Sequence, residues 1–299
     1  MAHWSGVFPA MTTQFHKDGA LDLDATGRHI EVMLASGVQG LVMLGSLGEN
    51  NTLSRQEKLD VLRCAVEVSE GRVPVVSGVS ELSTEFACEF VRDAQRAGAD
   101  GFMVLPAMVY HSDSRETLAH FQAVAHASER PIIIYNNPIA YKVDITPVML
   151  EEMAREEKFV AIKESSGDTR RITDVFNQVG DRFAIFAGVD DLVLECALLG
   201  ATGWIAGIGL AIPAENQKLW DLMMSGRWDE ARELYRWFTP LAHLDVGNKF
   251  VQCIKLAIQE AGLGSEWVRG PRLELEGTER ERVLRIIQQG LENRPQLSQ

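Results

Sequence analysis

Short apolar runs recur along the chain, each followed by a longer stretch whose apolar positions fall three or four residues apart. The runs are GVFPAMTT (6–13), GLVMLGS (40–46), VPVVSG (73–78), GFMVLP (101–106), PIIIYN (131–136), FVAIK (159–163), FAIFAG (183–188) and GWIAG (203–207). They are continuous rather than alternating, as expected of strands covered on both faces in a parallel sheet. The intervening stretches carry helix signals. Ser54 and Glu57 spell a capping box ahead of Leu59, Leu62 and Val66, and Asp113 and Glu116 do the same ahead of Leu118, Phe121 and Ala125. The phrases ASGVQGLVML, RAGADGFMVL and LLGATGWIAG each read as a helix end, a glycine stop and a buried strand.

Strand-like runs spaced roughly 25–30 residues apart, each followed by a helix, predict an α/β fold, a TIM (β/α)8 barrel. A doubly wound sheet is the rival, but no GxGxxG follows the first run. Beyond residue 207 four segments read as helices: AENQKLWDLMMSG, WDEARELYRWFTPLAHL, KFVQCIKLAIQEAG and EGTERERVLRIIQQGLE. The first is assigned as the last barrel helix. The expected division is a barrel over 1–226 and a C-terminal helical domain over 227–299.

Composition narrows the function. The 299 residues are 46% hydrophobic and 24% charged, with a formal net charge of −13. An acidic chain lacks the basic footprint of a nucleic-acid binder. Cys64, Cys88, Cys196 and Cys253 form no CxxC pair and no Cys/His cluster. They read as packing residues in a reducing, cytoplasmic setting. No basic n-region with a long apolar h-region opens the chain, and no apolar run approaches a membrane span.

In a TIM barrel the chemistry sits where strands end. The sixth run ends at Lys163, although lysine is rarely buried. A lone strand-end lysine more often snorkels to water or pairs with a neighbour such as Glu164. A free lysine has a pKa of about 10.4, and burial at a barrel mouth lowers it, making the amine a Schiff-base nucleophile. The fifth run ends at Tyr135, one βα unit earlier, so the two should lie on adjacent strands at similar height. A phenol there can shuttle protons as a carbinolamine forms and loses water. The second run ends in LGSLGEN, where Gly45 and Gly48 bracket Ser46 and Leu47. Such a turn can present successive backbone N–H groups to a carboxylate, and the Ser46 hydroxyl could extend the relay. Amine, proton relay and cradle together suit covalent catalysis on a 2-oxo acid or cyclic imine acid. That chemistry calls for no metal and no cofactor, because the iminium is the electron sink.

The phrases GSLGE (45–49), YNNP (135–138) and AIKESSGD (161–168), with GVDDLVLECALLGATGWIAG (188–207), together resemble the dihydrodipicolinate synthase/N-acetylneuraminate lyase family of class I aldolases. The match in order and spacing covers essentially the whole chain. The resemblance implies a TIM barrel with a helical C-terminal domain, Lys163 as the Schiff-base residue and Tyr135 as proton shuttle. It further implies carboxylate binding by the amides of Ser46 and Leu47, substrate contacts that take in Gly45 and Ile205, and a homotetramer. Three departures bear on substrate. Leu47 stands where the synthases carry a second threonine. Ala140 stands where they place an arginine for a second substrate carboxylate. In the loop that lends a relay tyrosine to a neighbouring subunit, Met108 takes the tyrosine's place with Tyr110 close by.

The loops LPAMVYHSDSRET (105–117) and IYNNPIAYKVDITP (134–147) resemble a narrower branch, the 1-pyrroline-4-hydroxy-2-carboxylate deaminases of hydroxyproline catabolism. Such an enzyme would dehydrate and deaminate its substrate to 2-oxoglutarate semialdehyde and ammonia. The alternatives are a 2-keto-3-deoxy sugar acid dehydratase or aldolase, a 4-hydroxy-2-oxoglutarate aldolase, dihydrodipicolinate synthase itself, and a non-catalytic binding barrel.

Overall fold

In a computed structural model, the structure describes residues 4–107 and 110–297. The expected parallel strands all form: β1 (Gly6–Val7), β2 (Leu41–Met43), β3 (Val75–Val79), β4 (Gly101–Val104), β5 (Ile132–Asn136), β6 (Phe159–Glu164), β7 (Ala184–Ala187) and β8 (Gly203–Trp204). From β2 to β8 each pairs with the next, and β1 pairs with β8. Between β1 and β2, Gln39 N–H donates to Val7 O at 2.9 Å and Met11 N–H to Val42 O at 2.9 Å, which closes the barrel. The strand residues are buried almost throughout, which explains why the runs are continuous rather than alternating.

The helices α1 (Leu23–Ala35), α2 (Arg55–Ser69), α3 (Thr84–Arg96) and α4 (Ser114–Ala127) follow the first four strands. Both capping boxes close as read: the Ser54 side chain accepts from Glu57 N, and that of Asp113 from Glu116 N. The segment after β5, read as a loop, forms a one-turn helix α5 (Pro138–Tyr141) before α6 (Pro147–Met153). Its turn is nucleated locally: Asn137 caps it by accepting from Ala140 N at 3.0 Å, and Pro138 supplies a pre-set first position. Lys142, left-handed at φ +62°, ends it.

The circuit continues through α7 (Arg170–Val179), α8 (Val193–Leu198) and α9 (Pro213–Met224), followed by α10 (Trp228–Ala242), α11 (Phe250–Glu260) and α12 (Gly277–Glu292). The later helices dock onto the barrel. Phe238 of α10 packs edge-on against Trp204 of β8, ring centroids 5.5 Å apart. Lys255 of α11 is fully buried and donates to Glu49 Oε1 at 2.7 Å, in the turn after β2. Among the described residues no helix is long and apolar enough to cross a membrane.

Candidate active site

Tyr135 and Lys163 are direct partners in the β5–β6 register, at the C-terminal ends of their strands. Both side chains are buried, and Lys163 Nζ lies 4.3 Å from the centroid of the Tyr135 ring. The stem of Lys163 lies against the backbone at the end of β7. A side chain at Gly188 would collide with Lys163 Cγ and Ser165 Oγ, so that position must stay bare. Burial holds the Lys163 ammonium below its ordinary pKa, and the neighbouring Asp245, Tyr141 and Asp190 partly oppose this. The lysine that looked anomalous at a strand end is therefore enclosed, not snorkelled, and its charged form is less favoured there than in water.

The turn after β2 supplies the donors. Among the described residues, neither the Ser46 nor the Leu47 backbone N–H has a hydrogen-bond partner. Two adjacent free amides at a barrel mouth form an anion-binding concavity. The turn is firmly held. Thr13 Oγ1 donates to Gly48 O at 2.7 Å, and Asn50 Nδ2 donates to Leu44 O at 2.9 Å. Glu49, left-handed at φ +53°, accepts from Lys255 Nζ and from the Arg269 amide at 3.0 Å. The pair Glu49–Lys255 thus ties the cradle to α11. Burial lowers the Lys255 pKa to about 8 even with Glu49 beside it.

Beside Ser46 and Tyr135 stands a candidate relay residue that sequence reasoning missed. The Ser46 hydroxyl is hydrogen-bonded to the hydroxyl of Tyr141, at the end of α5. The Tyr141 ring meets that of Tyr135 edge-on, centroids 5.6 Å apart. Burial raises the pKa of both phenols, and each hydroxyl influences the other. Asn137 Nδ2 donates to the Tyr135 hydroxyl at 3.2 Å. Asn136 anchors the loop that carries Tyr141: its Oδ1 accepts from Ile145 N at 2.9 Å, and its Nδ2 donates to Glu164 Oε2 at 3.0 Å. The available signal was a second tyrosine just beyond the YNNP phrase, in a segment short enough to fold back over the strand end.

The remaining expected residues separate. Gly45 and Leu47 are buried in the cradle turn, and Ile205 is buried at the end of β8, its N–H donating to Ala187 O at 2.9 Å. Ala140 is exposed on α5. Tyr110 is also exposed, and the Glu116 carboxylate beside it raises its pKa. Met108 and Val109 lie outside the described residues.

Two acids complete the mouth. Asp190 is buried and accepts from Trp204 Nε1 at 2.9 Å and from the amides of Gly207 at 3.0 Å and Ile208 at 2.7 Å, so it braces the turn after β8. Asp245, in the 3-10 turn after α10, places its carboxyl against Gly207 on the same turn. Nothing near Asp245 in the sequence signals this, because only tertiary docking of the C-terminal helices brings it to the barrel.

The profile of the dihydrodipicolinate synthetase family matches residues 3–290. This chain belongs to that family. Membership accords with its lysine-centred barrel mouth and makes it a lyase of the class I aldolase type. A 4-hydroxy-tetrahydrodipicolinate synthase from Methanothrix thermoacetophila is 35% identical over 237 residues, covering 79% of this chain and 80% of that relative. Among solved structures, the 4-hydroxy-tetrahydrodipicolinate synthase of Methylacidiphilum fumariolicum SolV superposes with a TM-score of 0.92 at 26% identity, covering 97% of each chain. YagE of Escherichia coli K12, a prophage protein of the same family solved in complex with pyruvate, superposes with a TM-score of 0.91 at 27% identity. That match covers 97% of this chain and 99% of YagE.

Proposed function

We propose that this family member is a Schiff-base deaminase acting on 1-pyrroline-4-hydroxy-2-carboxylate, with Lys163 as nucleophile, Tyr135, Ser46 and Tyr141 as proton relay, and the Ser46 and Leu47 amides as carboxylate cradle. The observation that carries this reading is a site built for one carboxylate. Ala140 offers no cation where the family's synthases place an arginine, and nearby cations are engaged elsewhere. Lys142 Nζ donates to Ile139 O at 2.7 Å, and Arg171 pairs with Asp144 at 2.8 Å. A ring acid with a single carboxylate matches that supply.

The chemistry runs through the residues in order. Neutral Lys163 attacks C2 of the ring imine, and the ring nitrogen leaves C2 as an amine, giving a lysine-linked iminium. The iminium acidifies C3, and the proton passes to the hydroxyl relay. The resulting enamine expels the 4-hydroxyl as water. Proton shifts move the unsaturation to the amine-bearing carbon. Hydrolysis there releases ammonia, and hydrolysis at C2 frees Lys163 and 2-oxoglutarate semialdehyde. Because Tyr141 contacts Ser46 within one chain, the relay needs no tyrosine from a neighbouring subunit. In this proposal the barrel, 1–226, carries the nucleophile and cradle, and the helical unit, 227–299, closes the mouth.

A synthase reading is favoured by the names of the relatives, and one experiment separates the two. The purified protein is given the hydroxypyrroline acid, or pyruvate with aspartate semialdehyde, and ammonia release and pyruvate consumption are followed. Stoichiometric ammonia from the first is expected. Pyruvate consumption without ammonia would contradict the proposal.

A further inference from the structure

We propose that Asp245 is the general acid of the reaction, a carboxyl group brought by the C-terminal helices to the Lys163 pocket, where it protonates the hydroxyl that leaves the substrate. This rests on the deaminase reading and adds to it the group that makes elimination possible.

The geometry starts at Gly207. A Cβ built there would lie 2.5 Å from Asp245 Oδ1 and 2.7 Å from its Cγ, so the carboxyl occupies the space a side chain would fill. Gly207 follows β8, placing that carboxyl at the same barrel face as Lys163. The turn bearing it is pinned to the barrel, since His243 Nδ1 and Asp191 Oδ2 lie 2.7 Å apart. Asp190, which also meets Gly207, has its oxygens filled by the Trp204, Gly207 and Ile208 donors. Asp245 differs: among the described residues no donor hydrogen-bonds its carboxyl, which leaves it available to a ligand.

The charges around it suit a proton donor. Asp190 and Asp191 repel its anion, Lys163 attracts it, and Tyr135 and Cys253 also lie within its field. Burial and Asp190 raise its pKa well above that of an ordinary carboxyl. A desolvated amine and a desolvated carboxyl are less costly as a neutral pair than as two ions. Burial therefore shifts the pair towards free amine and carboxylic acid, the two forms that catalysis needs. Once Lys163 becomes an iminium, its fixed positive charge favours the Asp245 carboxylate, so the proton is released after the Schiff base has formed. In the elimination the enamine nitrogen lone pair pushes through C2 and C3, the C4–O bond breaks with its electron pair, and the Asp245 proton joins that oxygen to make water. The products are the conjugated iminium and the Asp245 carboxylate.

The test uses the full-length protein, Asp245→Asn and Gly207→Ala, with borohydride trapping, intact mass and ammonia release. Asp245→Asn should still trap pyruvate, and should do so at lower pH than wild type, because the ionised fraction of Asp245, which holds a proton on Lys163, is gone. With the hydroxypyrroline acid it should release ammonia about 10²–10⁴-fold more slowly, the range for a lost general acid. Its trapped adduct should be one water heavier than that of the wild type. Gly207→Ala, which displaces the carboxyl without removing it, should repeat the water-retaining adduct. Wild-type ammonia release in Asp245→Asn, with an unmoved pH profile for pyruvate trapping, would overturn the assignment and leave the deaminase reading standing. Pyruvate trapping by wild type without ammonia from the hydroxypyrroline acid would instead overturn the deaminase reading and, with it, the leaving-group role.

Discussion

At the scale of single residues, burial decides the chemistry. The placement of Lys163 at a strand end was legible from the sequence because a charged residue closes an apolar strand, and that of Tyr135 because it lies one βα unit upstream. Their pairing in register follows directly from parallel strands of matched height. Tyr141 and Asp245 were not legible in the same way. One is held by a one-turn helix that only its local caps define, and the other by docking of helices far along the chain. The relay makes a distinguishing prediction. Tyr141→Phe should cut turnover by about 10²–10⁴-fold, as for a lost acid/base group. Tyr110→Phe should leave turnover near wild type, because the Tyr110 ring is exposed beside Glu116. Steady-state rates for the two variants check this, and the reverse order would assign the relay to Tyr110.

At the scale of elements, the apolar runs and caps predicted the strands and the first helices well, since each is fixed by local pattern. The connections between elements were harder to read, because they rest on single buried polar groups. His29 of α1 is one of these. Its Nε2–H donates to Leu210 O at 2.9 Å, joining α1 to the turn after β8, and burial lowers its pKa from 6.5 to about 4. The folded imidazole stays neutral where the unfolded one is protonated. Between those two values the unfolded state holds more protons, so the stabilisation is complete above pH 6.5 and is lost as pH falls towards 4. The loss approaches about 3 kcal/mol at full burial. Urea unfolding at neutral pH and again near the folded pKa should show a larger stability drop for wild type than for His29→Gln. Equal drops would mean that His29 is not held neutral.

At the scale of the whole molecule, the barrel and the C-terminal helices build one site together. Glu49 in the turn after β2 is tied to Lys255 of α11, and Asp245 reaches the turn after β8, so the helices that follow the barrel brace both of these turns. The fold class was legible because βα repetition is a sequence-wide signal, whereas this joint construction was not, since it depends on pairs such as Glu49–Lys255 that are far apart in the chain. The central claim is that a desolvated Lys163 forms a covalent iminium with a carboxylate-bearing substrate. Borohydride reduction in the presence of pyruvate, followed by peptide mass spectrometry, tests it most directly. The account predicts a reduced pyruvyl adduct on the peptide containing Lys163, and no adduct in a folded Lys163→Ala variant. A folded wild-type protein that acquires no adduct, or acquires it on another lysine, would contradict it.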